Sequence, residues 1–84
     1  MMKGIFNMTI KSKVTGKEYA PENAVYIRNF LQFAAYMNAG AGEYLLDTFY
    51  DNSRNENNKI VFVFEKNKKT KELYALWNKH LLEY

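Results

Sequence analysis

Lys59-Ile60-Val61-Phe62-Val63-Phe64-Glu65 is the stretch that decides the fold, because it places five consecutive apolar residues between two charged ones. All five favour a β-strand, and successive side chains of a strand point to opposite faces of a sheet. A strand that is apolar on both faces needs cover on both faces. We therefore predict a central strand, with the other elements of the chain laid against it.

Two elements adjoin this strand in the sequence. Glu43–Asp51 reads as a strand, and the polar loop Asn52–Asn58 joins it to the central one as a long-looped hairpin. After the central strand, Asn67 is a good N-cap for a helix that runs to the end of the chain. Its apolar stripe, at three- and four-residue spacing, contains Thr70, Leu73, Leu76, Trp77, His80, Leu81 and Tyr84.

A second helix is predicted over Phe30–Ala39, upstream of both strands. Asn29 and Gln32 have the spacing of a capping box, and Gly40 suits the left-handed position that follows a helix. The helix is apolar nearly all round, so we expect it to be buried on more than one side. Pro21–Arg28 before it fits either a helical turn or a strand, and the cap at Asn29 favours a strand from Ala24.

Residues 5–14 alternate between apolar and polar side chains, with Phe6, Met8, Ile10 and Val14 on the apolar side. Thr15-Gly16 predicts a turn, and a short return strand completes an N-terminal hairpin. We predict one α+β domain over residues 1–84, with a small, mainly antiparallel sheet of three to five strands and two helices in the order ββ(β)αββα. Residues 1–20 are the hairpin and residues 24–84 the βαββα core.

One face of the central strand is left without a helix in this arrangement. Either the hairpin or a second copy of the chain covers it, and we predict a homo-oligomer on this ground.

The 84 residues contain no cysteine and carry a net charge of +3, distributed as +3 over residues 1–20, −3 over 21–58 and +3 over 59–84. No apolar run approaches the roughly 18 residues of a membrane span, and the N-terminus lacks a signal-peptide pattern. We expect a cytoplasmic protein that does not bind membranes.

Several short groups of residues from Val25 to the C-terminus follow a known pattern. They are Tyr26-Ile27-Arg28-Asn29-Phe30, Ala34-Ala35-Tyr36-Met37 closing in Gly40, Leu45-Leu46-Asp47, Phe62-Val63-Phe64, Lys71-Glu72-Leu73 and Trp77. This stretch resembles a small domain-of-unknown-function family of low-GC Gram-positive bacteria and their phages. The resemblance implies a βαββα order and a phage or mobile-element setting, with the protein in the host cytoplasm, and it implies no catalytic residue.

The residue types of this chain give little reason to predict catalysis. Cysteine is absent, Ser12 and Ser53 lack the context of a nucleophile, and the lone histidine, His80, lies on the apolar stripe. Glu43, Asp47 and Asp51 follow one another at four-residue steps, which on one strand face is roughly 13 Å. Glycosidase carboxylates lie about 5–9.5 Å apart, so we expect a solvated or dimer-facing acidic edge. We predict no enzyme, no cofactor and no metal site.

Two features indicate binding. Lys66, Lys68, Lys69 and Lys71 surround the start of the last helix, with Tyr74 one turn further, and would attract an anion or a phosphate backbone. The chain also has more tyrosines than so small a core needs, and Tyr44 and Tyr50 are candidates for an interface. We predict a non-enzymatic phage or prophage accessory protein that acts through protein–protein contacts, for example by inhibiting host machinery or defence. The alternative is a small nucleic-acid-binding regulator that uses the lysine-rich helix start.

Overall fold

The computed structural model describes residues 8–51 and 60–83, which form seven helices and strands and two short 3-10 turns. A two-stranded antiparallel hairpin precedes a three-stranded antiparallel sheet, in which the strand Ile60–Glu65 lies between the strands Ala24–Ile27 and Leu45–Tyr50. This confirms the predicted α+β class and the order ββ(β)αββα. The elements are β1 Ile10–Lys11, β2 Glu18–Tyr19, a turn at Pro21–Asn23, β3 Ala24–Ile27, α1 Phe30–Asn38, a turn at Ala41–Tyr44, β4 Leu45–Tyr50, β5 Ile60–Glu65 and α2 Lys68–Asn78.

Strand β5 is the central strand, as predicted, and it is covered on both faces. Its Val61 and Val63 side chains belong to one buried cluster and its Phe64 to a second one, as alternation along a strand requires. All three are fully buried. Lys59, which opens the stretch in the sequence, lies outside the described residues.

The two helices cover the Phe62 and Phe64 face of β5. Phe64 is buried together with Tyr36 of α1 and Leu73 of α2. Phe33 stacks on Phe62, with ring centroids 3.9 Å apart and planes 10° from parallel, a geometry that adds to the burial of apolar area. The prediction that α1 is buried on more than one side is wrong: only Ala35 and Tyr36 are buried, and Phe30, Leu31 and Met37 are exposed.

The N-terminal hairpin covers the opposite face of β5. Val61 and Val63 pack there with Tyr19 of the hairpin and with Leu46. The sequence allowed either the hairpin or a second copy of the chain to cover this face, and the structure shows the hairpin there. Phe62 lies on the other face of β5, against the helices. The predicted homo-oligomer stays a prediction, and the uncovered face that suggested it does not exist.

The hairpin does not bury the side chains that its alternation predicts. Met8, Ile10 and Val14 are exposed, whereas Ser12 and Tyr19 are buried. Among the described residues the two arms pair only at Ile10 with Tyr19 and at Lys11 with Glu18. Ser12 and Tyr19 are the buried ones because both donate hydrogen bonds to the buried Asp47 of the sheet. The proposed apolar residue Phe6 lies outside the described residues.

A β-bulge interrupts β4 and moves Asp47 into the interior. Leu45 pairs with Phe64 and Asp47 with Val63, so that Leu46 is an extra residue in β4. Leu46 and Asp47 are both buried, and Asp47 bonds to the hairpin. The predicted solvated acidic edge is therefore wrong: Glu43 lies in the 3-10 turn before β4, and Asp47 is only 7% exposed.

The helix ends follow the predicted caps with two differences. Asn29 caps α1, accepting bonds from the Leu31 and Gln32 amides, and Gly40 follows the helix with φ +87°. The Gln32 side chain does not complete a capping box, because it donates to the Tyr36 hydroxyl at 3.2 Å. Helix α2 does not run to the end of the chain but ends at Asn78.

His80 terminates α2. It has φ +59°, its amide donates to the Trp77 carbonyl, and the Leu81 amide donates to the Leu76 carbonyl. These two bonds make a Schellman motif with His80 at the left-handed position. Of the predicted stripe, Thr70 and Leu73 are buried and Trp77 is half-buried, whereas Leu76, His80 and Leu81 are exposed. Tyr84 lies outside the described residues.

Candidate binding groove

The candidate site is a groove of about 690 Å³ along the outer edge of β3. Strand β3 is an edge strand because it pairs with β5 alone among the described residues. The groove has β3 on one side and residues from both helices on the other. Its lining is Ala24, Val25, Tyr26, Ile27, Arg28, Gln32, Tyr36, Lys66, Thr70, Lys71 and Tyr74.

The main chain of β3 presents unpaired polar groups to this edge. The Lys66 amide donates to the Asn23 carbonyl at 2.8 Å, so Asn23 and Lys66 are a hydrogen-bonded pair of the antiparallel ladder. Because such pairs alternate with non-bonded ones, the register makes Val25 and Ile27 bond to β5 and turns the peptide groups of Ala24 and Tyr26 outward.

One of these four outward groups has a local partner. The Ala24 amide donates to the Pro21 carbonyl, which closes the 3-10 turn before the strand. The Ala24 carbonyl and both main-chain groups of Tyr26 have no main-chain partner among the described residues, and they point away from β5 toward the edge that the groove follows. An edge of this kind is the usual template for pairing with a further strand.

The charged side chains of the groove are all cationic. Lys66, Lys71 and Arg28 line it, and no Asp or Glu is among the lining residues. The Lys66 ammonium donates to the Glu22 carbonyl at 3.1 Å, which holds it beside the start of β3.

Arg28 stands at the other end of β3. Its Nη2 donates to the Asp51 carboxylate at 2.9 Å. Its Nη1 is buried and has no hydrogen-bond partner among the described residues. A buried donor without a partner is costly, so a ligand acceptor at this end would relieve that cost.

Three tyrosines line the groove, and two of them, Tyr36 and Tyr74, do so from the helices. Tyr36 is buried and accepts a hydrogen bond from Gln32, whereas Tyr74 is exposed. Burial raises the pKa of the Tyr36 hydroxyl, the hydrogen bond from Gln32 lowers it, and the nearby Tyr74 raises it. The net shift is upward, so Tyr36 keeps its proton and can donate to an acceptor in the groove.

The residues that the sequence singled out separate into three places. Lys66, Lys71 and Tyr74 line the groove. Tyr50 lies in β4, at the opposite edge of the sheet. The remaining three, Lys68, Lys69 and Tyr44, line a shallower concavity that also contains Glu65 and Glu72.

The lysine-rich helix start is also less open to an anion than the sequence indicated. Asn67 accepts from the Thr70 amide at 2.9 Å, and the Thr70 hydroxyl accepts from the Asn67 amide at 3.0 Å. This reciprocal capping box occupies two of the amides that an anion would need. Moreover, the carboxylates Glu65 and Glu72 stand beside Lys68 and Lys69.

Sequence reasoning counted Tyr26 and Tyr36 among the surplus tyrosines that suit an interface, and it missed Arg28 and Gln32 as groove residues. The groove exists only because β3 is left at the edge of the sheet, and no short sequence pattern identifies such an edge. Arg28 alone had a relevant feature in the sequence, its position directly after a predicted strand.

The described residues offer no catalytic constellation. Ser12 is 3% exposed and donates to Asp47 at 2.6 Å in the interior, and His80 is an exposed helix-terminating residue. Residues 8–51 and 60–83 hold no group of three or more His, Asp or Glu side chains placed to bind a metal ion. No helix in the same residues has the length and apolar character to span a membrane.

Comparison of this chain with protein-family models, with curated proteins and with solved structures gave no match.

Proposed function

We propose that this protein is a non-enzymatic binding module that holds an extended segment of a partner protein along the free edge of β3. The observation that carries the proposal is that three main-chain groups at this edge, the Ala24 carbonyl and both groups of Tyr26, have no main-chain partner among residues 8–51 and 60–83. A partner strand that pairs with them would extend the sheet from three strands to four. Addition of a strand to an exposed edge is a recurrent mode of peptide recognition.

The walls of the groove support this mode of binding. In a bound strand, alternate side chains point to opposite faces of the sheet, so one set would face the helices. There it would meet Tyr36 and Tyr74, whose rings give apolar area and whose hydroxyls give polar contacts.

The family resemblance of residues 25–84 adds a biological setting to the proposal. In a phage or prophage accessory protein, the groove would capture a segment of a host protein and so block that protein's own contacts. The nucleic-acid alternative keeps Lys68 and Lys69 as its contact residues, and it predicts a steep loss of binding with salt.

Amide hydrogen exchange on labelled protein tests the proposal. Peptides selected from a random decapeptide library would be added, and exchange at β3 measured residue by residue. We expect the Tyr26 amide to exchange fast in the free protein and slowly with bound peptide, whereas Val25 and Ile27 are slow in both. Selected peptides that leave Tyr26 unprotected, or protection confined to β4 or α2, would contradict strand addition.

A matched pair of modified peptides sharpens the test. A selected peptide would be N-methylated at every second residue, in either of the two possible registers. Strand addition uses alternate peptide amides only, so one register should abolish binding and the other should preserve it. Equal effects of the two registers would refute the mode.

A further inference from the structure

We infer that the partner segment that binds along β3 is acidic at both ends and apolar or aromatic in the middle. This inference rests on the proposed function and specifies its ligand. It follows from the positions of the cationic side chains along the groove, which lie at its two ends.

The first end is the start of β3. Lys66 lies opposite Asn23 in the ladder, and its ammonium is held at the Glu22 carbonyl. Lys71 lines the groove from the first turn of α2. Two ammonium groups without a carboxylate among the lining residues make this end attractive to a carboxylate.

The second end is the residue after β3. Arg28 lines the groove there with one guanidinium nitrogen paired to Asp51 and the other, Nη1, buried and unpartnered among the described residues. From Asn23 to Arg28 is five residue steps, or roughly 17 Å in an extended chain. A segment of about six residues therefore spans both ends.

The middle of the groove suits apolar side chains. Val25 lines it between the cationic ends, and Tyr36 and Tyr74 line it from the two helices. The Tyr36 hydroxyl is the polar exception; its proton has no acceptor among the described residues, and it would donate to a main-chain or side-chain oxygen of the ligand.

Charge also argues against a second copy of this chain as the occupant. Two copies of β3 paired antiparallel about a two-fold axis would place the Arg28 end of one beside the Lys66 end of the other. Like charges opposite one another in a ladder are destabilising. An acidic segment of another protein meets the same groups with opposite charge, which gives both affinity and selectivity.

Three labelled peptides test the inference. They share the centre Val-Tyr-Val and carry two Glu, two Gln or two Lys residues at each end. We expect the Glu peptide to bind at least tenfold more tightly than the Gln peptide in fluorescence anisotropy at low salt, with a smaller margin at high salt. The Lys peptide should not bind.

Two double variants with the same change of net charge locate the effect. Lys66→Glu with Lys71→Glu should remove the preference for the Glu peptide. Lys68→Glu with Lys69→Glu, in the first turn of α2 but outside the groove, should leave it unchanged. Neither pair should impair folding, since acidic residues near a helix N-terminus are favourable, and circular dichroism checks this.

The results distinguish a failure of the proposed function from a failure of the inferred acidic preference. If no peptide binds, the proposed function itself fails. If all three bind equally and protect the Tyr26 amide, the function stands and the acidic preference is wrong. Loss of binding in the Lys68 and Lys69 variant alone would place the ligand elsewhere and overturn the inference. A protected Tyr26 amide in a dimer seen by light scattering, without peptide, would assign the edge to a second copy.

Discussion

The Tyr19 hydroxyl donates a 2.7 Å hydrogen bond to the carboxylate of Asp47, and this bond ties the hairpin to the sheet. The Ser12 hydroxyl donates to the same carboxylate at 2.6 Å, and the Thr48 amide at 2.8 Å. Ser12 and Asp47 are 35 residues apart in the chain. Hydrogen bonds to an ionised acceptor are stronger than neutral ones, so Asp47 is the chief polar anchor of the hairpin.

Replacement of Asp47 by Ala should therefore destabilise the fold strongly. It leaves the buried hydroxyls of Ser12 and Tyr19 without their acceptor, and the cost is about 3 kcal/mol of unfolding free energy. Urea denaturation measures it. Glu18→Ala, which removes an exposed carboxylate of the hairpin, should change stability by less than about 0.5 kcal/mol. Similar losses in the two variants would contradict the anchoring role of Asp47.

Stability should decline above pH 10 because of Tyr19. Burial raises the pKa of its hydroxyl, and the hydrogen bond to Asp47 and the charge of Asp47 raise it further. The contribution is complete below the unfolded-state pKa of about 10 and is lost as pH rises towards the folded-state value. The loss is at most about 1.4 kcal/mol per pH unit for this group.

Urea midpoints between pH 9 and 11.5 test this dependence. Tyr19→Phe, although less stable at neutral pH, should show a shallower decline. The pKa of Tyr36 is also raised, so part of the slope should remain in that variant. Identical slopes in the two proteins would show that Tyr19 does not carry the effect.

His80→Gly should stabilise the protein by about 1 kcal/mol. His80 has φ +59°, a conformation that costs residues with a Cβ roughly 1–2 kcal/mol and glycine almost nothing. Thermal and urea unfolding measure the gain. Asn78→Gly, in the last turn of α2, is the matched control and should instead cost about 0.5–1 kcal/mol. Destabilisation by both glycines would mean that the His80 side chain makes a contact worth more than its backbone strain.

Gly40→Ala should destabilise the protein by about 1 kcal/mol through the backbone alone. Gly40 has φ +87°, and a Cβ there would meet nothing within 4 Å, so the cost is conformational. Gly42→Ala is the contrasting case, because its Cβ would meet the flexible end of Met37 at 3.2 Å. We expect the free energy of unfolding to change there by less than about 0.5 kcal/mol, measured by urea denaturation. A larger loss at Gly42 than at Gly40 would mean that side-chain contact, not backbone conformation, determines the cost.

The sequence correctly predicted those elements that a pattern of a few neighbouring residues determines. The apolar run of β5, the Asn29 and Asn67 caps and the glycine after α1 each have such a pattern. The bulge in β4 has none, because Leu46 is recognisable as an extra residue only from its pairing with β5. The burial of Asp47 was missed for the same reason: its donors are distant in the sequence and unite only in the fold.

The candidate site was predicted in part. Lys66, Lys71 and Tyr74 were chosen for their charge and aromaticity, and the groove contains all three. The proposed binding of a strand depends on the order β3-β5-β4, which leaves β3 at the edge, and strand order depends on long-range pairing. The main-chain groups of Tyr26 therefore could not be identified from residue types.

The hairpin also governs how often the chain exposes a segment able to form amyloid. Residues 60–64 combine high β-propensity, no charge and no proline, the composition of a cross-β segment, and Val61 and Val63 have no exposed surface while the hairpin is closed. Local opening of the hairpin uncovers them without global unfolding. Each kcal/mol lost at Asp47 would raise that open population about fivefold, so we expect loss of this buried carboxylate to speed aggregation of the chain.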